Sequence, residues 1–402
     1  MDIIKLALIF LSIILVIRFN KPLYIALLAG VVATILLYLI NPLDSIRLIL
    51  KGIFSKNTIY LILAFYTITF LQRMLEKRER IMLAEQALDN MFNCRRINAM
   101  AAPFIIGILP SPTAVLIAAP IVDSAVGDYI SKEERTFVTT YFRHISELFL
   151  PTYAHILLAL SLTSISMTSF VGAMLPMAVV LFLLGYFVYI RKIVKQPRNF
   201  QPKPKLPEVK NLIKGIWSIV LIIVFVLVFD LPVHLAVIPV IILAIIIDKF
   251  KIEEIKPIFK SAFEPKLMLT TIFVMIFKEA LTFTGVIERL PGYFEALPIP
   301  PVIIFALIFF FGTVVAGSQA IIALTLPLAF ATIPNGGLAL MILLMSTTFI
   351  AMQVSPTHIC LGIITEHYGT SFIDLVKKTI PFIFAFLGIV SLYSYLLYLF
   401  AN

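Results

Sequence analysis

Polar residues that could bind ions interrupt two otherwise apolar parts of this sequence. In the first part, Ser111 and Thr113 flank Pro112, and Thr152 follows Pro151. The second part contains a matching set, which comprises Ser318, Gln319, Ser355 and Thr357. Hydroxyl, amide and carbonyl oxygens at helix breaks coordinate Na⁺ in membrane transporters. We therefore predict a small oxygen-lined cation site in each part.

The same breaks could also bind an anion. A broken helix leaves N–H groups unpaired at one end and C=O groups unpaired at the other. The N–H end, with its dipole, attracts negative charge. Two breaks at corresponding places in a chain indicate a transporter's binding site, so we expect a shared substrate pocket between the two cation sites. The alternative is that each break is a packed kink whose hydroxyls bond to their own helix.

Charged residues within predicted membrane crossings form a second set of candidates. Arg143, His144 and Glu147 lie in one crossing, where Arg143 and Glu147 share a face at a spacing of four. A charge inside the bilayer is costly unless it is paired or faces water. Two interpretations stay open. The residues form a structural ion pair near the cytoplasmic interface, or Arg143 receives an anionic substrate while Glu147 or His144 takes part in coupling.

Three further sites are less specific. Lys278 and Glu279 lie deep in another predicted span, where we expect a functional or pairing role. His155 and His358 each follow a break closely, as structural imidazoles or as proton sensors.

Composition indicates the class of protein. Of 402 residues, 61% are hydrophobic and 13% are charged, against about 25% charged in soluble proteins. Several apolar runs could cross about 30 Å of hydrocarbon as helices. We predict an all-α polytopic protein of the cell membrane, whose first span is retained instead of cleaved. Cys94 and Cys360 lie far apart and imply neither a disulfide framework nor a metal cluster.

These candidates must be positioned by helices and their interruptions. We predict about ten crossings, two re-entrant hairpins and two broken helices. Prolines at the breaks remove N–H donors and end helices. Residues 81–96 suit an interfacial or a packed loop helix. The predicted segments are an N-terminal span at 1–21, hairpins at 98–122 and 299–333, broken helices at 137–163 and 338–364, and a basic cytoplasmic linker at 191–214.

The chain contains an internal repeat, with copies at 22–190 and 215–402. Matching positions are Pro22 and Pro232, Lys51 and Lys260, Pro120 and Pro327, and Pro151 and Pro356. Five crossings in each copy would invert the second relative to the first. With the N-terminus outside, the Lys- and Arg-rich loops fall inside, except for the loop at 44–56. The net charge of +10 is then topological and does not indicate nucleic-acid binding.

The sequence lacks the common enzyme motifs. It has no P-loop, His-Glu-x-x-His or Gly-x-Ser-x-Gly pattern, so we expect neither an enzyme nor a primary pump. The leading hypothesis is a secondary transporter of a small organic anion coupled to Na⁺ or H⁺, with Arg143 or Lys278 assisting the hairpin N–H groups. Apart from a possible Na⁺, no cofactor is expected. The alternatives are a cation/proton antiporter that uses Glu147, Glu279 and the histidines, and a membrane enzyme or scaffold.

Three stretches carry a family resemblance: Leu109 to Thr113, Tyr141 to Glu147 and Leu150 to Tyr153. With the overall architecture, they resemble the ion transporter superfamily of divalent-anion/sodium symporters and gluconate or citrate permeases. Within it, they look like an uncharacterised prokaryotic family of integral membrane proteins. The resemblance implies a homodimer whose transport domain, with both hairpins and both broken helices, moves against a scaffold as an elevator.

The hairpin tips depart from the symporter pattern. Those symporters carry Ser-Asn-Thr at both tips. This chain has Ser111-Pro112-Thr113, which lacks the amide, and Ser318-Gln319-Ala320, which lacks the last hydroxyl.

Overall fold

The computed structural model describes residues 2–19, 21–91, 94–108, 114–127, 129–193, 204–295 and 298–401. Its regular structure is entirely helical across these ranges. The first ten α-helices are α1 Asp2–Arg18, α2 Leu23–Leu37, α3 Pro42–Phe54, α4 Lys56–Lys77, α5 Arg80–Met91, α6 Arg95–Gly107, α7 Ala114–Val126, α8 Lys132–His144, α9 Ala154–Leu162 and α10 Met167–Val188. The next ten are α11 Lys205–Leu227, α12 Val233–Ile247, α13 Ile252–Ser261, α14 Pro265–Phe283, α15 Val286–Glu295, α16 Pro301–Ala316, α17 Ser318–Thr332, α18 Gly337–Met352, α19 Ile359–Tyr368 and α20 Phe372–Ala401.

The predicted all-α, multi-pass architecture is confirmed. Within the described ranges, five segments are long and apolar enough to cross a membrane, namely Lys56–Lys77, Met167–Lys192, Lys205–Leu227, Pro334–Met352 and Phe372–Phe400. A sixth would be the pair α14 and α15, which is bent by 70°. Shorter apolar helices include α2, α12, α16 and α17. The protein is therefore a polytopic helical membrane protein, and about ten crossings stays a prediction.

The two halves of the chain present their helices in the same order. Helices α6 and α7 pack against each other before the broken pair α8 and α9, as α16 and α17 do before α18 and α19. The breaks follow His144 in the first half and Met352 in the second. This order is the one expected of a repeat, while the duplication and its inversion remain predictions.

Helices from the two halves interlock in a shared core. Helix α4 packs against α12 and α13, and α14 packs against α2 and α3. Gly52 lets α3 approach α14 closely, because a Cβ there would lie 2.7 Å from the Ile276 Cα atom. Helices α7 and α9 contact α19 and α17, respectively. Neither half therefore encloses its own core.

Two segments differ from or refine the sequence expectations. The predicted linker at 191–214 is wrong over its last part, since α11 begins at Lys205, and residues 194–203 lie outside the described ranges. Within residues 81–96, α5 buries Ile81, Ala84 and Leu88 and packs against α11. It is thus a packed helix instead of one lying freely in the interface.

Local sequence explains where α8 begins and how the chain behaves at its end. Ser131 and Glu134 form a reciprocal capping box at the start of α8. After His144 the chain tightens into a 3₁₀ turn over Ile145–Leu148, and Pro151 precedes α9. The break therefore begins directly after the last turn of α8, which carries Arg143 and His144.

Candidate functional site

A buried ion pair lies at the first helix break. Arg143 and Glu147 are almost fully buried, with only 1% and 4% of their surfaces exposed. Arg143 Nη1 donates a hydrogen bond to Glu147 Oε1, as their spacing of four residues predicts. Pairing offsets part of the cost of burying both charges, whereas removing one partner would leave the other uncompensated.

His144 connects this ion pair to the other half of the chain. Its Nε2 atom lies 2.9 Å from His358 Nε2 and 3.8 Å from Glu147 Oε1. Its Nδ1 atom lies 2.5 Å from the backbone oxygen of Thr140. The two broken helices therefore meet through imidazoles. The sequence indicates both histidines as candidates but not their contact.

Cys360 extends this contact into a cluster of potential ligands. The side-chain ligand atoms of His144, His358 and Cys360 all lie within 4.8 Å of one another. Cys360 thus lies in a group of potential metal ligands, which its distance from Cys94 in the sequence did not indicate. Cysteine spacing could not reveal this, because His144 belongs to a distant helix.

His155 has a structural partner. Its ring is buried, and Nε2 lies 3.0 Å from the backbone oxygen of Glu147. This contact spans the break between α8 and α9. It gives the His155 ring a backbone partner, as expected of an imidazole with a structural role.

The end of α6 packs against this break. The Gly107 carbonyl oxygen accepts hydrogen bonds from Ser146 Oγ, at 2.6 Å, and from the Tyr153 hydroxyl. A Cβ at Gly107 would collide with the Arg143 backbone oxygen. Ser111 and Thr113 lie outside the described residues, so their assignment as ion ligands stays a prediction.

Thr152 lines a small cavity beside the first hairpin. Its hydroxyl oxygen is buried and has no hydrogen-bond partner among the described residues. The cavity measures about 20 Å³, and its lining includes Ile108 and Gln72. That volume suffices for about one water-sized particle.

The second break packs against the second hairpin tip. Gly317, at φ +83°, separates α16 from α17. Ser355 Oγ donates to the Val314 carbonyl oxygen at 2.8 Å and lies 2.7 Å from Thr357 Oγ1. The structure thus places Ser355 and Thr357 beside this tip. Ser318 and Gln319 are half-buried at the start of α17.

Lys278 and Glu279 belong to a different part of the fold. Glu279 Oε2 lies 2.7 Å from Lys51 Nζ on α3. Within the described part of the chain, no ion pair joins either residue to the cluster around His144. The structure therefore supports a pairing role for Glu279.

A larger cavity lies away from these residues. It measures about 780 Å³ and lies between α16, α18 and α20. Its lining is almost entirely apolar, with residues such as Phe310, Leu340 and Leu387. Its lining contains hydroxyl groups but no Lys or Arg, so a small organic anion would lose its hydration there without gaining a counter-charge. The candidate site therefore lies at the breaks.

The fold and these buried charges define a polytopic helical membrane protein with a polar centre. A family model described as "Protein of unknown function (DUF401)" matches residues 3–400. The chain therefore belongs to the DUF401 family. No curated protein matches the chain.

Among solved structures, the chain is similar to the YdaH transporter of Alcanivorax borkumensis, whose crystal structure is described as having an unusual topology. The two are 10% identical, with a TM-score of 0.46, and the match covers 88% of this chain and 86% of that one. Similarity at this level carries no argument about mechanism or substrate.

Proposed function

We propose that this protein is a secondary transporter of a small organic anion, and that H⁺ drives the transport. The supporting observation is the Arg143–Glu147 ion pair, which is buried and adjoins the contact between His144 and His358. Intramembrane ionisable residues that meet at helix breaks are typical of substrate and proton pathways.

The ion pair suggests how a proton and an anion could bind together. In the described conformation the Glu147 carboxylate accepts a hydrogen bond from the Arg143 guanidinium. Protonation of Glu147 would weaken that pairing, and a substrate carboxylate could then take its place, since guanidinium groups bind carboxylates through two N–H groups. The site has no net charge when Arg143 pairs with ionised Glu147, nor when it pairs with the substrate carboxylate beside protonated Glu147. This neutrality limits the cost of either state in the membrane.

Na⁺ is the second possible coupling ion. Its proposed ligands are the residues at the two tips and breaks: Ser111, Thr113 and Thr152 on one side, and Ser318, Gln319, Ser355 and Thr357 on the other. The unpartnered hydroxyl of Thr152 beside a cavity of about 20 Å³ supports a small ligand there. The close pair formed by Ser355 and Thr357 supports a second site.

The larger arrangement follows the resemblance to the ion transporter superfamily. We propose inverted repeats, a homodimer in the cell membrane and elevator motion of the hairpins and broken helices. The matching helix order of the two halves supports the repeats. The contacts of α7 with α19 and of α9 with α17 support movement of these helices as one body.

A cation/proton antiporter is the alternative. The observation that favours it is that Arg143 already has a carboxylate partner, so the cluster can titrate without an organic anion. Glu147 and the paired histidines would then carry the exchanged proton.

Uptake by proteoliposomes separates these functions. The purified protein is tested with a panel of organic acids under an inward H⁺ gradient, an inward Na⁺ gradient, or neither. We expect at least one acid to accumulate under the H⁺ gradient. Accumulation under the Na⁺ gradient but not under the H⁺ gradient would show that Na⁺ is the coupling ion. If no acid accumulates and a Na⁺ pulse acidifies the medium, the symporter proposal is wrong.

A further inference from the structure

We propose that His144, His358 and Cys360 form a binding site for a zinc-class transition-metal ion. The three side chains supply two imidazole nitrogens and one sulfur, a ligand set that Zn²⁺ binds in proteins. Their ligand atoms lie within 4.8 Å of one another. His144 and Cys360 are buried, and His358 is half-buried. The inference does not depend on the proposed transport activity.

The distances require only small adjustments. Bonds of about 2.0–2.3 Å in a tetrahedral zinc site place ligand atoms about 3.3–3.8 Å apart. The separation between the two Nε2 atoms is 2.9 Å, so a central ion would push these nitrogens slightly apart. The widest separation of ligand atoms, at most 4.8 Å, would shrink by up to about 1.0–1.5 Å, which side-chain rotation can provide.

A hydrogen bond already holds His144 in the form that binds metals. The Thr140 backbone oxygen can only accept, so the nearby Nδ1 atom of His144 is the donor. The neutral ring then carries its lone pair on Nε2 and accepts from His358 Nε2 without the metal. On metal binding, the His358 proton would move to Nδ1 of the same ring and free its Nε2 atom. Metal-binding histidines typically donate their other ring N–H to a carbonyl or carboxylate in this way.

Glu147 offers a fourth ligand. Its Oε1 atom lies 3.8 Å from His144 Nε2. Its Oε2 atom is buried and has no hydrogen-bond partner within the described ranges. Three protein ligands with a fourth position for a carboxylate or another anion form a common zinc arrangement. Since thiolate offsets one charge of the dication, an anion at that position would neutralise the other.

The position of the cluster gives the metal a structural consequence. His144 ends α8 in the first half, whereas His358 and Cys360 lie at the start of α19 in the second. A bound ion would therefore cross-link the two broken helices. Binding would also release the Cys360 proton, so the affinity should rise with pH until the thiol is fully ionised.

Cobalt provides a direct probe of the sulfur ligand. The full-length protein is purified in detergent, stripped with a chelator and titrated with Co²⁺. We expect one ion per chain and a thiolate-to-cobalt charge-transfer band that Zn²⁺ abolishes. Cys360→Ser should remove the band, and Cys94→Ser, at the other cysteine, should retain it. His358→Asn should weaken binding at least about tenfold, whereas His367→Asn, at an exposed position on the same helix, should not.

X-ray absorption on the zinc-loaded wild-type protein avoids relying on variants that fail to fold. We expect a first shell with one sulfur and two imidazoles. A shell of nitrogen and oxygen alone, or a charge-transfer band that persists in folded Cys360→Ser, would overturn the assignment. Failure of the wild-type protein to bind Co²⁺ or Zn²⁺ would do the same. None of these results would bear on organic-acid uptake.

Discussion

At the scale of single residues, Arg143 and Glu147 neutralise each other inside an apolar bundle. Their contact is direct, and both residues are almost fully buried. Removing one partner of a buried pair destabilises a protein more than replacing both charges with apolar groups does. The pair is thus suited to a switch in which Glu147 takes up a proton and a second carboxylate binds Arg143 in its place.

Glu147→Gln tests that switch. The amide imitates a protonated carboxyl but leaves Arg143 without its counter-charge, so the variant should be less stable. Its folded fraction should still exchange anions across the membrane, while accumulation driven by an H⁺ gradient is lost. Counterflow and gradient-driven uptake in the same proteoliposomes measure the two properties. Glu279→Gln is the matched control, because its carboxylate pairs with Lys51 elsewhere. Full H⁺-driven accumulation by Glu147→Gln would contradict the role given to Glu147.

Gly317→Ala tests the backbone at the second hairpin tip. Gly317 has φ +83° and ψ 160°, a conformation that is essentially restricted to glycine. We expect alanine to destabilise the protein by about 1–3 kcal/mol. Thermal unfolding in detergent measures the effect, and Gly362→Ala, at an uncrowded helical position, is the control. Equal stability of the two variants would refute the expected strain.

Sequence alone revealed part of the residue-scale arrangement. The contact of Arg143 with Glu147 follows from helical spacing. The contact of His144 with His358 does not, because it joins residues 214 positions apart. No local pattern records which faces of two distant helices meet.

At the scale of helices, one buried and one partly exposed ion pair connect the two halves of the chain. The guanidinium of Arg80, at the start of α5, contacts the carboxylate of Asp248, just after α12, and both side chains are less than 10% exposed. A second link pairs Arg78 Nη1 with Glu254 Oε1 at 2.7 Å. These contacts fix α5 against the end of α12 and the start of α13.

Asp248→Asn should therefore destabilise the protein strongly. The substitution leaves the Arg80 charge buried without its counter-charge, at a cost of about 3–5 kcal/mol. Asp374→Asn removes a partner from an exposed ion pair with Lys377, where the expected effect is about 0–1 kcal/mol. Chemical unfolding in detergent compares the two. Similar stabilities would show that the Asp248 pair is not important.

Helix bounds were largely predictable, and the exception has a physical cause. The apolar run at 233–247 coincides with α12, and the run at 267–283 lies within α14, which begins at Pro265. Helix α11 starts much earlier than its apolar run because Lys205 to Lys214 extend it beyond the hydrophobic part. Pro207 is tolerated there, since prolines in the first turn remove no intrahelical hydrogen bond.

At the scale of the whole molecule, the charge distribution predicts opposite locations for two loops. Cys94, between α5 and α6, should face the cytoplasm, and Pro298, before α16, should face outward. A membrane-impermeant maleimide should label Cys94 in Cys360→Ser only from the inside. In Cys94→Ser/Cys360→Ser/Pro298→Cys, labelling should occur only from the outside. Labelling of both positions from one side would contradict the predicted inversion.

The whole architecture was only partly accessible from sequence. Proline and glycine positions predict the breaks, since they disrupt helical hydrogen bonding in the hydrocarbon. Interlocking was not predicted, because hydrophobicity inside a bilayer does not distinguish a face that packs on protein from one that meets lipid. The packing of α4 against α12 and α13 therefore had to come from the structure.

That interlocking has a consequence for biosynthesis. Helices α2 and α4 emerge from the ribosome long before α14 and α12, against which they pack. The first half must wait in the membrane with these surfaces occupied by lipid or by an insertion factor, exposed to quality-control proteases. Co-translational insertion can place each helix, but the core can close only after most of the chain has been synthesised. A truncated product should consequently be degraded instead of accumulating as a folded half.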